Sequence, residues 1–124
     1  MNKFPDNIVE YGRSQFCRIA YAQKRNGSMP AKEFLESLDK RERIKIARLF
    51  DWMLQSGKIT NRQKFKKLQG DSNLWEFISI PYRVFAYQDG NTWFLTNGFE
   101  KRTDGTPPQE IKRGVEIMRE HLHK

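Results

Sequence analysis

The chain has 124 residues, a length that suits one compact domain. With 37% hydrophobic and 13% aromatic residues it can build a packed core, which excludes an intrinsically disordered protein. The formal net charge of +8 favours a polyanionic partner, such as nucleic acid, an acidic protein or an anionic membrane surface.

The sequence carries no sign of export or membrane insertion. Its single cysteine, Cys17, cannot form an internal disulfide, and no apolar run approaches the roughly 20 residues of a membrane span. The N-terminus lacks the apolar centre of a signal peptide. We therefore expect a cytoplasmic protein with a single domain over residues 1–124, in which residues 1–14 form a loose arm or wrap the domain.

The N-terminal half predicts one strand followed by two helices. Gln15–Gln23 alternates strand-forming residues and predicts the first strand. Pro30 suits the first turn of a helix. Asp39, with a glutamate three residues later, resembles a capping box that starts a second helix, and Gly57 ends it. The two helices should form a hairpin, and the outer face of the second carries Lys40, Arg41, Arg43, Lys45 and Arg48.

The segment Lys58–Leu68 has five cations and no acid. Such a run repels itself unless an anion or an acidic partner lies near. Phe65 and Leu68 can anchor the segment on the core. Three lysines are then left outside as candidates for binding a polyanion: Lys64, Lys66 and Lys67.

The stretch Asn73–Pro107 predicts three strands that end in a basic loop. Trp75–Ile80 and Tyr82–Tyr87 alternate in side-chain character, as strands do. Asp89-Gly90 is a strong hairpin signal, after which Trp93–Asn97 returns antiparallel.

The last element is a helix. Thr106 can be its N-cap, Pro107 suits its first position, and a glutamine completes a capping box. Its apolar stripe consists of Ile111, Val115, Met118 and Leu122. His121 and His123 should lie at an exposed, frayed helix end. Together the elements predict an α/β (α+β) fold, in which an antiparallel sheet of about four strands packs against an N-terminal helix hairpin and a C-terminal helix.

Three cations of the sheet region are candidate catalytic residues: Arg83, Lys101 and Arg102. Arg83 sits in mid-strand, where a charge is costly unless it points outward or meets an anion. Pairing across the hairpin puts Arg83 near Thr96, on the strand that leads to Lys101. We therefore expect the three cations to share one edge of the sheet and to form a phosphate site.

Such a site could cleave RNA, which carries its own nucleophile, the 2′-hydroxyl. An enzyme aligns this oxygen, removes its proton and stabilises the charge that develops on phosphorus; cations supply the last of these, and a lysine can take part in proton transfer. Tyr82 could stack on an unpaired base, although its alternative is a place in the core. Tyr82, Lys64, Lys66 and Lys67 are therefore our RNA-binding candidates.

The sequence does not indicate an added group. It contains no pair of cysteines and no histidine or carboxylate cluster with metal-ligand spacing. It also has no Gly-rich nucleotide loop. We therefore expect no metal and no cofactor.

A series of short motifs lies along residues 15–120: Pro30 with Phe34-Leu35 and Leu38, Lys67-Leu68, Leu74-Trp75-Glu76, Tyr82-Arg83-Val84, and Asn97–Arg102 with Thr106-Pro107. In this order they resemble the phage-derived, HigB-like branch of the RelE/ParE toxin superfamily. The stretch Gly98–Pro107 is the most specific, because it resembles the family's glycine-phenylalanine, paired-cation and proline signature.

The likeness reaches the candidate site residue by residue. Arg83 matches the arginine of the family's tyrosine-arginine strand, and Lys101 and Arg102 match its paired basic residues. Two positions depart from the pattern. The arginine that often follows the Trp-Glu glutamate by two residues is Ile78 here, and the histidine often found before the Gly-Phe pair is Asn97 here.

The resemblance implies a small RelE-like α/β fold and the activity of a type II toxin, a ribonuclease that cuts translated mRNA on the ribosome. It also implies a cognate antitoxin, commonly a helix-turn-helix protein that represses the operon. Two alternatives stay open. The chain could be a non-enzymatic toxin-like or RNA-binding module, or an inactive prophage remnant that only pairs with its antitoxin.

Overall fold

The structure, a computed structural model, describes residues 8–123 of the chain. Six strands and three helices follow one another in these residues: β1 (Glu10–Arg13), β2 (Arg18–Tyr21), α1 (Pro30–Ser37), α2 (Lys40–Ser56), β3 (Phe65–Lys67), β4 (Trp75–Ser79), β5 (Tyr82–Asp89), β6 (Thr92–Glu100) and α3 (Pro108–Leu122). The mixed α+β class is as predicted.

The sheet is larger than predicted, with six strands in the order β1-β2-β6-β5-β4-β3 instead of about four. The two additional strands are β1, in the expected N-terminal arm, and β3, in the basic segment. Both lie at an edge of the sheet and have only four and three residues, too few for alternation to show in the sequence. Residues 1–7 of the expected arm lie outside the described residues.

One pairing also differs from the predicted antiparallel sheet. Strand β2 is shorter than the predicted Gln15–Gln23, and it pairs in parallel with β6, so that Ile19 lies beside Trp93. All other neighbouring strands are antiparallel. A parallel pair requires a long connection, and the chain from α1 to β5 supplies it.

The helix signals of the N-terminal half are confirmed. Pro30 is the first residue of α1. The Asp39 side chain accepts a hydrogen bond of 2.9 Å from the backbone N–H of Glu42 at the start of α2. Gly57 ends α2 in the left-handed conformation, with φ of 76°. The predicted capping box of α3 is wrong, since Pro107 is the N-cap and no side chain caps this helix.

The helices cover both faces of the sheet and so create two cores. In the first core, α1 and α2 pack on one face, where Phe50 of α2 meets Phe77 of β4 with ring centroids 5.0 Å apart. In the second core, α3 packs on the other face, where Ile117 belongs to the same buried cluster as Phe85 and Phe94. The two faces of β4, β5 and β6 therefore have separate environments.

The expectation for the C-terminal histidines is half wrong. His123 is exposed, but His121 is buried, and its Nδ1 accepts a hydrogen bond of 2.9 Å from the backbone N–H of Gln23. Its ring lies 4.6 Å from that of Phe94, centroid to centroid. The imidazole of His121 therefore joins the end of α3 to the residues that follow β2.

Gly98 of β6 is a point of close approach between the sheet and α1. A Cβ built at this position would lie 2.7 Å from two ring carbons of Phe34 and would also clash with Cδ2 of that ring. The absence of a side chain is therefore what lets Phe34 of α1 rest on the backbone of β6.

Gly98→Ala should lower the free energy of unfolding by about 1–3 kcal/mol, the usual cost of overpacking a well-filled core. Urea unfolding measures the change. The double variant Gly98→Ala with Phe34→Leu is the control, because a smaller side chain at position 34 should recover part of the loss. An unchanged stability in Gly98→Ala alone would contradict the close packing.

Candidate nucleic-acid interface

The pairing of β5 with β6 decides which residues surround Arg83. The predicted register put Arg83 near Thr96, but the structure pairs Arg83 with Phe99. The hairpin turn begins one residue later than predicted, with Asp89 opposite Thr92, and a bulge follows between Val84 and Ala86. These irregularities bring Arg83 closer along the chain to Lys101 than the sequence suggested.

A backbone contact fixes the loop that carries Lys101. Its N–H donates a hydrogen bond of 2.8 Å to the carbonyl oxygen of Pro81, in the turn between β4 and β5. As a result Lys101, Arg83 and Arg102 line one open cleft of about 580 Å³, together with Asp104. We call it the arginine cleft. The structure thus places all three candidate catalytic residues at one end of the paired strands β5 and β6, inside the sheet and not at an edge strand.

Arg102 and Arg83 differ in their freedom within the arginine cleft. The Arg102 side chain is 80% exposed, and its Nε lies 2.7 Å from Oε2 of Glu100. Arg83 is only 13% exposed and is held on the strand. Arg102 therefore stands at the rim of the cleft, whereas Arg83 forms part of its floor.

A buried carboxylate lies beneath Arg83. Glu76 of β4 is 2% exposed, and its Oε1 lies 3.9 Å from Nη1 of Arg83. Burial raises the pKa of Glu76, while the positive charges of Arg83, Lys66 and Lys101 act in the opposite direction. Oε2 of Glu76 has no hydrogen-bond partner within the described residues. Glu76 is thus the acid at the centre of a cationic cluster.

Lys66 joins this cluster through the edge strand. It lies opposite Glu76 in the β3–β4 pair, so the two side chains share the face of the sheet that carries Arg83. A second cleft, of about 360 Å³, is lined by Lys66, Lys67 and Arg62 on one side and by Lys101 and Thr106 on the other. We call it the lysine cleft. Lys101 stands between the two clefts.

The other RNA-binding candidates lie apart from these two clefts. Lys64 is exposed in the turn before β3 and lines neither cleft. Tyr82 lies opposite Glu100, on the face that α1 and α2 cover, and its ring is 6.2 Å from that of Phe34. Burial is the main cause that raises the pKa of Tyr82. The structure therefore groups Lys66 and Lys67 with the catalytic candidates, but not Lys64 or Tyr82.

Glu76 and Asp104 are site residues that the sequence reasoning missed. The signal for Glu76 was available, because an acid alternates there with apolar residues in a strand adjacent to that of Arg83. Asp104 was interpreted only as part of a turn with Gly105, yet it lines the arginine cleft as an exposed carboxylate. No sequence pattern distinguishes a turn aspartate from one that lines a cleft.

The two departures from the family pattern have different surroundings. Ile78 is buried opposite Arg83, so an apolar side chain stands where the family often has a cation. Asn97 is fully buried, and its Nδ2 donates to the backbone oxygen and to Oε1 of Glu110, each at 3.2 Å. Asn97 therefore ties β6 to the start of α3 and does not reach the arginine cleft.

Among residues 8–123, no three histidine, cysteine, aspartate or glutamate side chains are grouped so that they could hold a metal ion. None of the helices in that part of the chain is both long and apolar enough to span a membrane.

A match to one protein family shows which proteins this chain is related to. The family described as "Phage derived protein Gp49-like (DUF891)" matches residues 33–119, from α1 into α3. The chain belongs to this family. The Gp49-like family is a RelE/HigB-type toxin family. This confirms the resemblance found in the sequence. The matched residues include every residue that lines the two clefts.

Among solved structures, the Gp49-like chain is similar to one in the RelB-RelE antitoxin-toxin complex from Methanococcus jannaschii. The sequence identity is 16% and the TM-score is 0.49, over 56% of this chain and 82% of that one. No curated protein matches the sequence.

Glu76→Gln should change how stability depends on pH. The pKa of Glu76 in the folded protein lies above its ordinary value of 4.5, so between these two values the folded protein keeps a proton that the unfolded chain has lost. The free energy of unfolding of the wild type, relative to Glu76→Gln, should therefore fall as pH rises from 4.5 and level off above the folded-state pKa.

Urea unfolding at a series of pH values measures this difference. Glu116→Gln, on the exposed side of α3, is the matched control for the loss of one carboxylate. A wild type that gains stability over Glu76→Gln as pH rises would show that the cations outweigh burial at this site.

Proposed function

We propose that the chain is the toxin component of a type II toxin–antitoxin system and acts in the cytoplasm as a ribosome-dependent mRNA endonuclease. Membership of the Gp49-like family supports the toxin role. The nuclease activity is supported by the arrangement of Arg83 and Lys101 at one cleft, with Arg102 at its rim. This cleft is open to solvent and offers cations of the kinds that bind phosphate oxygens.

The reaction we propose needs no metal. The 2′-oxygen of a ribose attacks the adjacent phosphorus, a bond forms between them, and the bond from phosphorus to the 5′-oxygen of the next nucleotide breaks. The 2′-hydroxyl loses a proton and the departing 5′-oxygen gains one. Arg83 and Lys101 would stabilise the negative charge that builds up on the non-bridging oxygens.

Two residues of the arginine cleft suit the proton transfers. Asp104 is an exposed carboxylate in the cleft and would accept the proton of the 2′-hydroxyl. The ammonium group of Lys101 would supply a proton to the 5′-oxygen. Ordered binding on the ribosome would bring the 2′-oxygen, phosphorus and 5′-oxygen into line. The cationic side chains of the cleft alone cannot impose this alignment.

Glu76 is a positioning residue in this scheme, because it is too deeply buried to touch RNA. Its carboxylate lies against one side of the Arg83 guanidinium. Nε of Arg83 is buried without a hydrogen-bond partner among the described residues, so the Nη groups are the donors that can face the cleft. A fixed guanidinium stabilises a developing charge without first having to reorganise.

The lysine cleft would hold the RNA backbone next to the cleaved bond. Lys66 and Lys67 belong to the edge strand, and Lys101 connects this cleft to the arginine cleft. A strand of RNA that passes Lys101 would place neighbouring phosphates in the two clefts. Lys64 and Tyr82 would act only as outer contacts, since they lie away from both.

We also propose a cognate helix-turn-helix antitoxin as the partner that restrains the toxin. Membership of a toxin family supports an antitoxin as the partner. A toxin of this kind needs a bound inhibitor in the cell that makes it.

The second candidate function is RNA binding without cleavage. Ile78 favours it, because the arginine cleft lacks the cation that the family often carries at that position. In this case the two clefts would bind RNA and block translation by occupancy, and the carboxylate of Asp104 would be dispensable.

Arg83→Ala and Lys101→Ala should each lower cleavage of mRNA on stalled ribosomes at least tenfold, which corresponds to about 1.4 kcal/mol in the barrier. Each variant removes a charge that faces the proposed phosphate. Inducible expression followed by mapping of the 5′ ends of cellular mRNA measures the effect.

Arg119→Ala, an exposed cation on α3, is the control for loss of positive charge and should cleave like the wild type. Asp104→Asn separates the two candidate functions, because only an enzyme needs its carboxylate. Full cleavage by both Arg83→Ala and Lys101→Ala would remove the arginine cleft from the mechanism.

Lys66→Ala with Lys67→Ala should weaken binding of a single-stranded RNA whose riboses carry 2′-deoxy substitutions and which therefore cannot be cut. Two lost phosphate contacts should reduce the slope of log affinity against log salt by about 1.4. Fluorescence anisotropy at several salt concentrations measures the slope. Arg25→Ala with Arg119→Ala removes the same charge elsewhere, and an equal loss in that variant would mean that net charge alone governs binding.

A further inference from the structure

The outward face of α2 carries a stripe of side chains that neither cleft uses. Residues spaced by three, four or seven along a helix lie on one side of it. On α2 this places five residues in one stripe: Arg41, Ile44, Lys45, Arg48 and Trp52. All five are exposed. We call this stripe the α2 face.

Two members of the α2 face are large apolar side chains. Ile44 is 43% exposed and Trp52 is 38% exposed, although α2 has ample apolar contact with the first core through other residues. At 1.5 Å per residue, the two side chains stand roughly 12 Å apart along the helix. An isolated exposed apolar residue is ordinary, but two at a spacing of eight on one helical face form a pattern that a second helix can match.

The cations of the α2 face and the neighbouring Lys40 are largely unpaired. Lys45 lies 3.7 Å from Glu42, but no described carboxylate lies within ion-pair distance of Lys40, Arg41 or Arg48. These cations and Ile44 surround a shallow depression of about 570 Å³. The α2 face therefore offers an apolar contact bordered by uncompensated positive charge.

We propose that the α2 face docks an acidic amphipathic helix of a partner protein. Ile44 and Trp52 would meet the apolar side of that helix, and Arg41, Lys45 and Arg48 would meet its carboxylates. Tryptophan and arginine are the residues that most often dominate the energy of protein interfaces. RNA explains this surface less well, because a phosphate backbone makes use of the cations but has no need for Ile44.

The position of the α2 face has a direct result for the clefts. Helix α2 packs on the face of the sheet that carries Phe77, whereas Arg83 and Glu76 belong to the opposite face, which α3 covers. A helix on α2 would leave both clefts open. The inference rests on one part of the proposed function, that the chain has a protein partner. It does not require RNA cleavage.

The test uses two synthetic helical peptides of equal length, with leucines at every third or fourth position and either glutamate or lysine elsewhere. Nuclear magnetic resonance of the labelled full chain should show shifts at residues 41–52 with the glutamate peptide and none with the lysine peptide. The double variant Arg41→Glu with Arg48→Glu should reverse this preference, binding the glutamate peptide at least tenfold more weakly and gaining the lysine peptide.

Lys112→Glu with Arg119→Glu is the matched control, since these residues are also seven apart on an exposed helix and the charge change is equal. It should bind the glutamate peptide like the wild type. Ile44→Ser tests the apolar contact and should weaken binding without a change of charge.

Three results would overturn the inference: shifts confined to the clefts, equal losses in the two double variants, or an Arg41 and Arg48 variant that loses only single-stranded RNA. The outcome for the nuclease is separate. The Arg41→Glu and Arg48→Glu variant should cleave mRNA normally, so peptide docking with no cleavage in any variant would reject the proposed nuclease and keep the docking surface.

Discussion

The antiparallel pairing of β5 with β6 is the constraint on which the rest of the structure depends. Strand β6 lies inside the sheet, between β2 and β5, and has a helix on either face. Gly98 lets α1 approach one face, and Asn97, its neighbour, fastens α3 to the other. The same strand then delivers Lys101 beside Arg83. Packing and the candidate site are therefore fixed by a single run of nine residues.

Charge is distributed over the fold in two separate groups. Near the clefts, the cations of β3, β5 and the loop after β6 gather around the buried Glu76, whose negative charge allows Arg83 to sit within the sheet. On α2, the cations lie outside and have few carboxylates near them. Two groups of cations thus occupy separate surfaces of the fold, and each can serve a different kind of partner.

The sequence predicted the features that local chemistry controls. The Asp39 cap, the Gly57 terminus and the alternation of β4 and β5 all depend on residues close together in the chain. The edge strands, the parallel β2–β6 pair and the burial of His121 depend on contacts between distant residues, which periodicity does not record. The same holds for the site: the pattern singled out Arg83 and Lys101, but the bulge that aligns them and the depth of Glu76 required coordinates.

The parallel pairing of β2 with β6 has a consequence for synthesis of the chain. The N-terminal strands have only each other as partners until β6 exists, because the central position of the sheet is empty before then. A nascent chain therefore has no completed sheet and no assembled cleft until translation has passed beyond the loop at Lys101. The sheet and the two clefts can therefore form only after β6 has been synthesised.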